Sequence, residues 1–386
     1  MASIEPMKIV IAPQSFKGTA TASVVAGAML DGVKKVMPSA EVISMPIADG
    51  GSGTVDTLVK ATNGITIETP AVDPIGRPII ARWGVLGDGK TAVIETSAAS
   101  GLSLLDISEY DPDITTTRGT GMLLRAAIDS GYSNILLGVG DSATNDGGVG
   151  LARALGIRPL DKFGKELPEG GAALSELESF DIGAFADSLT TTNITVLCDV
   201  TNPLCGINGA SAVYGPQKGA SHEQIELLDK SLLKLAQVVK NQLGEDILHV
   251  PGAGAGGGLG AGLIAFCGAT LRPGFEIISE AVGLQGVLNG ADMVLTGEGR
   301  IDSQTLLGKG LAGVASLSKS SSVNVVVAVV GANGLSDGEA ISIGIDYVVP
   351  LIDSFDWKVP SPEETPILIE YSTIVAINTA LEGIES

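Results

Sequence analysis

Short apolar runs, each followed by a polar loop and then by a stretch of helical periodicity, recur near both ends of this 386-residue chain. Residues 7–12 read MKIVIA and lead through PQSFKGTAT into ASVVAGAMLDGVKKVM, and residues 41–45 repeat the plan before a helix from about Thr54. Downstream, ADMVLT, VNVVVAVV and IDYVVPLID are almost unbroken apolar runs, and a last helix is predicted near residues 369–381. Unbroken runs are typical of strands covered on both faces. The pattern therefore predicts an α/β fold built on a parallel sheet.

The middle of the chain has a different pattern of apolar and polar residues. From about Thr66 to Thr96, apolar and polar residues alternate around hairpin turns. This interruption predicts a Rossmann- or flavodoxin-like parallel-sheet domain, residues 1–70 plus 275–386, that is interrupted by an inserted second α/β domain, residues 71–274, with mixed or antiparallel strands. We expect the active site in the cleft between the two domains, where ligands commonly bind.

The string GVLGDGKT at residues 84–91 fits the phosphate-loop pattern G-x-x-x-x-G-K-[ST]. That loop works only between a strand and a helix, because the helix N-terminus supplies much of the field that attracts an anion. Here RPIIARW precedes the string and TAVIETS follows Lys90, so both flanks read as strands. Asp88-Gly89 is a strong two-residue hairpin turn. The context favours a β-hairpin over a phosphate loop.

Composition and charge exclude several classes of function. Lys and Arg number 23 against 44 Asp and Glu, a formal charge of -21, which argues against nucleic-acid and membrane partners. The opening MASIEPMKIVIA lacks the pattern of a signal peptide, so a cytoplasmic location is expected. Three cysteines and two histidines match no zinc, disulfide or His-driven hydrolase pattern.

Residues 252–271, GAGAGGGLGAGLIAFCGATL, contain the string G-x-G-x-x-G at Gly252, Gly254 and Gly257. Only ILHVP precedes it, and Ile277 stands where a ribose-binding acid belongs, so the signal for a dinucleotide is weak. The apolar part is too short to cross a bilayer. The segment predicts a glycine-rich loop that opens a packed helix, either as an amide nest for an anion or as packing glycines.

Polar loops that follow predicted strands or open helices pool carboxylates, a few cations and many backbone amides. Phosphoryl transfer needs this mixture, because carboxylates hold Mg²⁺, cations and amides bind the phosphates, and a carboxylate orients the attacking hydroxyl. Each loop alone has a plainer interpretation, such as an Asx turn at Asp49 or a solvated lysine at Lys17. The loops are 13–18 (PQSFKG), 48–54 (ADGGSGT), 141–148 (DSATNDGG), 198–203 (CDVTNP) and 296–302 (TGEGRID).

Taken together, these loops resemble the type I glycerate kinase family. The resemblance rests on KIVIAPQSFKG, ADGGSGTVDTL, SATNDGG, CDVTNPLCGINGASAVYGPQKGA, PGAGAGGGLGAG, LRPGFEI and TGEGRIDSQTLLGKG, in this order and from residue 8 to beyond residue 310. It implies two α/β domains, the second inserted in the first. It also implies phosphorylation of D-glycerate, most often at the 2-hydroxyl, with ATP and Mg²⁺ as cofactors.

The resemblance also implies the site residues, position by position. The catalytic residues it implies are Asp199, which would orient or deprotonate the substrate hydroxyl, and Lys17, which would contact the transferring phosphate. The metal residues it implies are Asp49 and Asp302. The residues it implies for binding substrate or phosphate are Ser15, Ser142, Asn145, Asp146, Asn202, Gln217, Lys218, Glu298 and Arg300.

Three positions depart from the family pattern, which has Asp at Gln14, Glu at Ser52 and Gly at Asp141. Replacing a carboxylate by an amide removes a group that could bind a metal or take a proton. Two alternatives therefore stay open: a kinase for another small hydroxy acid, and a catalytically weakened relative that binds its ligand without turnover. The expected partners are a hydroxy acid and ATP, and a homodimer stays open.

Overall fold

The computed structural model describes residues 6–16, 18–48, 50–182, 189, 191–303, 305–307, 310–351 and 360–385. The described chain divides into two compact units, residues 1–49 with 275–386, and residues 50–274. The first boundary lies at Asp49, earlier than the residue 70 expected from the sequence. The reason is that the helix at Thr54–Thr62 packs on strands of the second unit.

Strands are numbered in chain order: β1 (Lys8–Ile11), β2 (Glu41–Ser44), β3 (Ile65–Val72), β4 (Pro78–Val85), β5 (Thr91–Glu95), β6 (Asn134–Gly138), β7 (Arg158–Leu160), β8 (Ser179–Asp181), β9 (Asn193–Leu197), β10 (Thr270–Arg272), β11 (Met293–Thr296), β12 (Arg300–Ile301), β13 (Val325–Val330), β14 (Ala332–Asn333) and β15 (Tyr347–Pro350).

Helices are numbered in the same way: α1 (Ala22–Val36), α2 (Thr54–Thr62), α3 (Ser97–Ser100), α4 (Arg118–Asp129), α5 (Val149–Ala154), α6 (Ala210–Tyr214), α7 (His222–Leu243), α8 (Ala255–Cys267), α9 (Gly274–Ala281), α10 (Leu284–Leu288), α11 (Leu311–Ser320), α12 (Asp337–Ser342) and α13 (Thr365–Glu385). Short 3-10 turns lie at Leu102–Leu104, Ile107–Glu109, Ala172–Glu176, Pro216–Lys218 and Thr305–Leu307.

The first unit is built on a parallel sheet with the strand order β15-β13-β11-β1-β2. Every residue of β11 and β13 is buried, as their unbroken apolar runs predict. Helices α1 and α13 pack against each other and bring Val25, Met29 and Ile377 into one core with the strands. The prediction of a parallel α/β sheet at both ends of the chain is confirmed.

The second unit is built on a mixed sheet with the strand order β10-β9-β6-β5-β4-β3. Strands β10, β9, β6 and β5 run parallel, whereas β4 and β3 are antiparallel additions at one edge. The predicted mixture of strand directions is confirmed, with more parallel pairing than the hairpin pattern indicates. The parallel strands end on one side of this sheet, so the loops that follow β5, β6 and β9 meet there.

The GVLGDGKT segment forms the hairpin between β4 and β5, as expected. The turn is wider than the predicted two residues, because the Leu86 amide donates to the Thr91 carbonyl across four intervening residues. Asp88 closes the turn by accepting hydrogen bonds from the Lys90 and Thr91 amides, at 2.8 and 2.9 Å. Lys90 is exposed at this turn and no helix follows it.

The glycine-rich segment opens α8, which ends at Cys267, short of the predicted Leu271 because Thr270–Arg272 form β10. Gly256, Gly257 and Gly258 have φ angles of 63°, 71° and 86°, which only glycine adopts without strain. A Cβ on Gly257 would lie 1.8 Å from the Thr144 carbonyl oxygen. Among the residues that the structure describes, no helix has the length and apolar character needed to cross a membrane.

Candidate active site

Lys218, on the 3-10 turn at Pro216–Lys218, bonds the loop that follows β6. Its side chain is 2% exposed, and its Nζ donates to Ser142 Oγ at 2.9 Å and to the Thr144 carbonyl at 2.6 Å. Burial lowers the pKa of Lys218 to about 7, while the nearby Asp146 charge opposes that shift. The sequence marks Lys218 as a ligand for substrate or phosphate, and the structure places it beneath the loop.

Asp146 joins the first turns of two helices. One carboxylate oxygen, Oδ2, accepts hydrogen bonds from the Thr117 amide and hydroxyl, both at 2.8 Å, and from the Gly150 amide at 3.0 Å. The other, Oδ1, accepts from the Gly148 amide at 3.1 Å. Burial raises the pKa of Asp146, and these donors oppose the shift. The carboxylate therefore braces the starts of α4 and α5 from the inside.

Asn145 directly precedes Asp146 in the same loop and is fully buried. Its Nδ2 donates to Ser211 Oγ at 3.0 Å, and its Oδ1 has no hydrogen-bond partner among the described residues. The adjacent Gly147 amide donates to the Gly257 carbonyl at 3.1 Å, which ties this loop to the glycine-rich start of α8. Three of the predicted site residues, Ser142, Asn145 and Asp146, thus belong to one rigid buried loop.

The loop after β9 carries the predicted catalytic carboxylate. Asp199 is half-buried, and its Oδ1 accepts a hydrogen bond from the Gly274 amide at 2.7 Å. Asn202 in the same loop accepts from the Tyr214 hydroxyl at 2.7 Å and donates to the Asn208 carbonyl at 2.9 Å. Gln217 is exposed on the 3-10 turn beside Lys218. The structure gives Asp199 and Asn202 fixed orientations at the carboxyl end of a parallel strand.

Glu95 is a partly buried acid that the sequence analysis did not single out. It ends β5, beside the end of β6, and its Oε2 accepts the Val55 amide at 3.0 Å in the first turn of α2. Burial raises the pKa of Glu95, and hydrogen bonds from the Val55 and Gly53 amides oppose that shift. A lone acid at the end of the apolar strand TAVIE was the signal that could have identified it.

The loop at residues 50–54 lies against the ends of β6 and β9. The Gly140 amide donates to the Gly50 carbonyl at 3.1 Å, and the Ser52 amide donates to Asp141 Oδ2 at 2.9 Å. Asp141 has a φ angle of 56°, a left-handed conformation that is uncommon for residues other than glycine and that aspartate and asparagine adopt more readily than most. Two of the three departures from the family pattern, Ser52 and Asp141, therefore contact each other.

In the first unit, the segment after β11 arranges its polar residues around one hydroxyl. Thr305 Oγ1 donates to Glu298 Oε1 at 3.0 Å and accepts the Asp302 amide at 3.2 Å. The Arg300 guanidinium lies 3.5 Å from Asp302, and both side chains are more than a third exposed. Glu298, Arg300 and Asp302 therefore lie close together on one short segment.

The first loop of the chain is packed against the start of α11. Gln14 is 6% exposed, and a Cβ on Gly310 would lie 2.1 Å from its Oε1. Ser15 follows Gln14 and is partly buried. Lys17 and Asp49, the other two predicted site residues, lie outside the described residues.

Carboxylate oxygens are the ligands that Mg²⁺ prefers, and the ion is usually held by one or two of them together with substrate phosphates and water. Across the described part of the chain, no three His, Cys, Asp or Glu side chains cluster as a metal site of their own. Thr305 bonds the Glu298 carboxylate and the Asp302 backbone amide, so two acids of one short segment are available as oxygen donors for this shared mode of binding.

Comparison with known proteins gives consistent matches along the chain. The glycerate kinase family model matches residues 9–364. A glycerate kinase of Bacillus subtilis strain 168 is 45% identical over 366 residues, which are 93% of this chain and 96% of that protein. The glycerate 2-kinase of Escherichia coli K12 is 46% identical over 348 residues, 90% of this chain and 91% of that protein.

A solved structure gives the same result. The crystal structure assigned to glycerate kinase 2 of Salmonella typhimurium LT2 matches with a TM-score of 0.82 and 41% sequence identity. The match covers 99% of this chain and 100% of that chain. The agreement therefore extends over the α/β fold of nearly the whole chain.

Proposed function

Because this chain belongs to the glycerate kinase family, we propose that it transfers the γ-phosphoryl group of ATP to the 2-hydroxyl of D-glycerate and releases 2-phosphoglycerate. The observation that carries the proposal is 46% identity to a protein named glycerate 2-kinase over 90% of this chain. The grouping of polar loops at the carboxyl ends of β5, β6 and β9 supports it.

In this proposal, Asp199 orients the glycerate hydroxyl or accepts its proton. The Gly274 amide holds one carboxylate oxygen at 2.7 Å, which limits rotation of the side chain. A general base needs such a fixed position within hydrogen-bond distance of the proton that it removes. Half-burial of Asp199 also strengthens its interaction with a hydroxyl in contact with it.

Lys218 and Asp146 act on the substrate through the loop they support. Ser142, Asn145 and Asn202 are proposed to contact the carboxylate or hydroxyls of glycerate. Gln217, on the exposed turn next to Lys218, is proposed as a further contact. A substrate bound by a rigidly held loop loses less freedom at the transition state. Lys218 and Asp146 therefore raise the reaction rate even where they do not contact the substrate.

The first unit is proposed to supply groups for the triphosphate. Arg300 is exposed and would bind phosphate oxygens, with Ser15 as a further donor, while Glu298 and Asp302 would hold Mg²⁺ together with the nucleotide. When bound, the ion neutralises charge on the β- and γ-phosphates. Lys17 and Asp49 stay predictions for phosphate and metal, as do the cytoplasmic location and the homodimer.

Release of ADP across a panel of hydroxy acids tests the proposed function. With ATP and Mg²⁺ present, we expect turnover with D-glycerate and much less with tartronate or threonate. Turnover with one of the other acids alone would instead identify a kinase for that acid. Binding of ATP and an acid without ADP release from any of them would identify a relative that has lost catalysis.

The role of Asp199 has its own test. We expect Asp199→Asn to lower kcat by about 10²–10⁴, because the amide cannot accept the hydroxyl proton. Asp246→Asn is a matched control on the same unit, since that exposed carboxylate bonds Lys240 and the Leu248 amide, both within six residues of it in the chain. A near-normal kcat for Asp199→Asn would remove the assignment.

A further inference from the structure

The segment Gly50–Gly53, called the glycine loop below, rests on the ends of two parallel strands through backbone contacts. A Cβ on Gly138, the last residue of β6, would lie 2.2 Å from the Gly50 carbonyl oxygen. A Cβ on Gly50 would lie 3.0 Å from the carbonyl oxygen of Leu197, the last residue of β9. The loop and the strand ends are therefore in direct contact, with no room for side chains between them.

Two carboxylates accept hydrogen bonds from the glycine loop and from the residue just after Thr54. Glu95 at the end of β5 accepts the Val55 amide at 3.0 Å, just after the loop. Asp141, after the end of β6, accepts the Ser52 amide at 2.9 Å within the loop. Charge-assisted hydrogen bonds of this kind are stronger than those between neutral groups. The loop is thus fixed between strand ends and two acids.

Asp141 makes this contact from a left-handed backbone conformation. Among the described residues, the other non-glycine residues with positive φ are Asn63 and Ser322. Those two stand just after the last turns of α2 and α11, where helices commonly end in this conformation. Asp141 stands at the end of a strand, where glycine would adopt the same conformation without strain. A strained residue of this kind is an indicator of function when its side chain has a specific partner.

We propose that Asp141 is a positioning residue, whose carboxylate holds the glycine loop at the carboxyl ends of β6 and β9 in the arrangement that phosphoryl transfer requires. The proposal rests on the proposed function for its kinetic consequence. Ser52 is exposed on this loop. Asp49, the predicted metal residue, directly precedes the loop in the chain.

Three variants separate the hydrogen bond from the charge and from the backbone conformation. Asp141→Gly keeps the φ angle and removes the carboxylate. Asp141→Asn keeps an acceptor for the Ser52 amide and tolerates the left-handed conformation. Asn63→Gly is the control, because it changes another left-handed residue to glycine at the exposed end of the neighbouring helix α2.

Amide hydrogen exchange of residues 50–54 and kcat/KM for D-glycerate are measured for each variant. We expect Asp141→Gly to speed exchange at Ser52 and lower kcat/KM about tenfold or more, as displaced site groups do. Asp141→Asn should stay within about threefold of the wild type, and Asn63→Gly within about twofold. Unchanged exchange in Asp141→Gly, or faster exchange with unchanged kcat/KM, would overturn the proposal, as would equal losses in Asn63→Gly.

The two measurements also separate this proposal from the proposed function. A wild-type protein without glycerate kinase activity would overturn the proposed function, while the exchange comparison of Asp141→Gly with Asp141→Asn would still decide whether Asp141 holds the glycine loop.

Discussion

Two loops of the second unit each contain an aspartate next to glycine and lie near a lysine. One loop is exposed and the other is buried. In the β4–β5 hairpin, Asp88 accepts amides of its own turn and Lys90 is exposed. In the loop after β6, Asp146 accepts amides from two helix starts, and Lys218 lies buried beneath it. The hairpin matches a phosphate-loop pattern, whereas the second loop matches no phosphate-loop pattern. The difference shows that the elements flanking a loop, more than its string, decide what its polar residues do.

The largest expected difference between the two loops is in stability. Asp146→Ala leaves four buried donors without an acceptor and should lower the free energy of unfolding by about 3–5 kcal/mol. Asp88→Ala removes an exposed acceptor of three bonds and should cost no more than about 1 kcal/mol. Urea unfolding measures both. Equal costs would show that burial does not separate the two loops.

The second difference is in turnover. Lys218→Met removes the donor that holds Ser142 and the Thr144 carbonyl, and we expect kcat/KM for D-glycerate to fall by about 10² because the loop loses its support. Lys90→Met should stay within about twofold, because its side chain is exposed at a hairpin turn. ADP release measures both variants. A large loss of kcat/KM in Lys90→Met with the fold intact would show that the hairpin acts as a phosphate loop.

The third difference is in the pH dependence of stability, and for a change of one pH unit it is the smallest of the three. Burial lowers the pKa of Lys218 in the folded protein to about 7, below its ordinary value of 10.5. Between these two pH values the unfolded chain binds more protons than the folded chain, so the stability of the wild type should rise with pH. Relative to Lys218→Met, the slope should reach at most about 1.4 kcal/mol per pH unit, and vanish below pH 7 where both states hold the proton.

Urea unfolding of the wild type and of Lys218→Met, from about pH 6 to pH 9.5, measures this slope by difference, so that the other ionisable groups cancel. A difference in stability that does not change with pH would show that Lys218 stays protonated in the fold, held by the Asp146 carboxylate.

Local patterns in the sequence predict most of the fold, and the predictions that differ from the structure depend on contacts between residues far apart in the chain. Unbroken apolar runs correctly predict β11 and β13, and alternation around Asp88 correctly predicts the hairpin. The domain boundary at residue 70 differs from the structure because α2 packs on strands that come later in the chain. No local pattern contains that contact.

For the candidate site too, local patterns predict one part, and the rest depends on contacts between residues far apart in the chain. The motifs identify the loops, but they do not tell a residue that faces a ligand from one that supports the loop. Lys218 and Ser142 are 76 residues apart in the chain, and Asp146 and Thr117 are 29 apart, so their hydrogen bonds and burial appear only in the fold. Glu95 was missed because its partner, the Val55 amide, precedes it by 40 residues.

The central claim is that this glycerate kinase family member phosphorylates D-glycerate at the 2-hydroxyl. Phosphorus NMR of the products, after incubation with D-glycerate, ATP and Mg²⁺, tests it most directly. We predict a phosphate resonance coupled to the single proton on C2, as in 2-phosphoglycerate, in step with the appearance of ADP. A resonance coupled to the two protons on C3, or no new phosphate ester at all, would contradict the account.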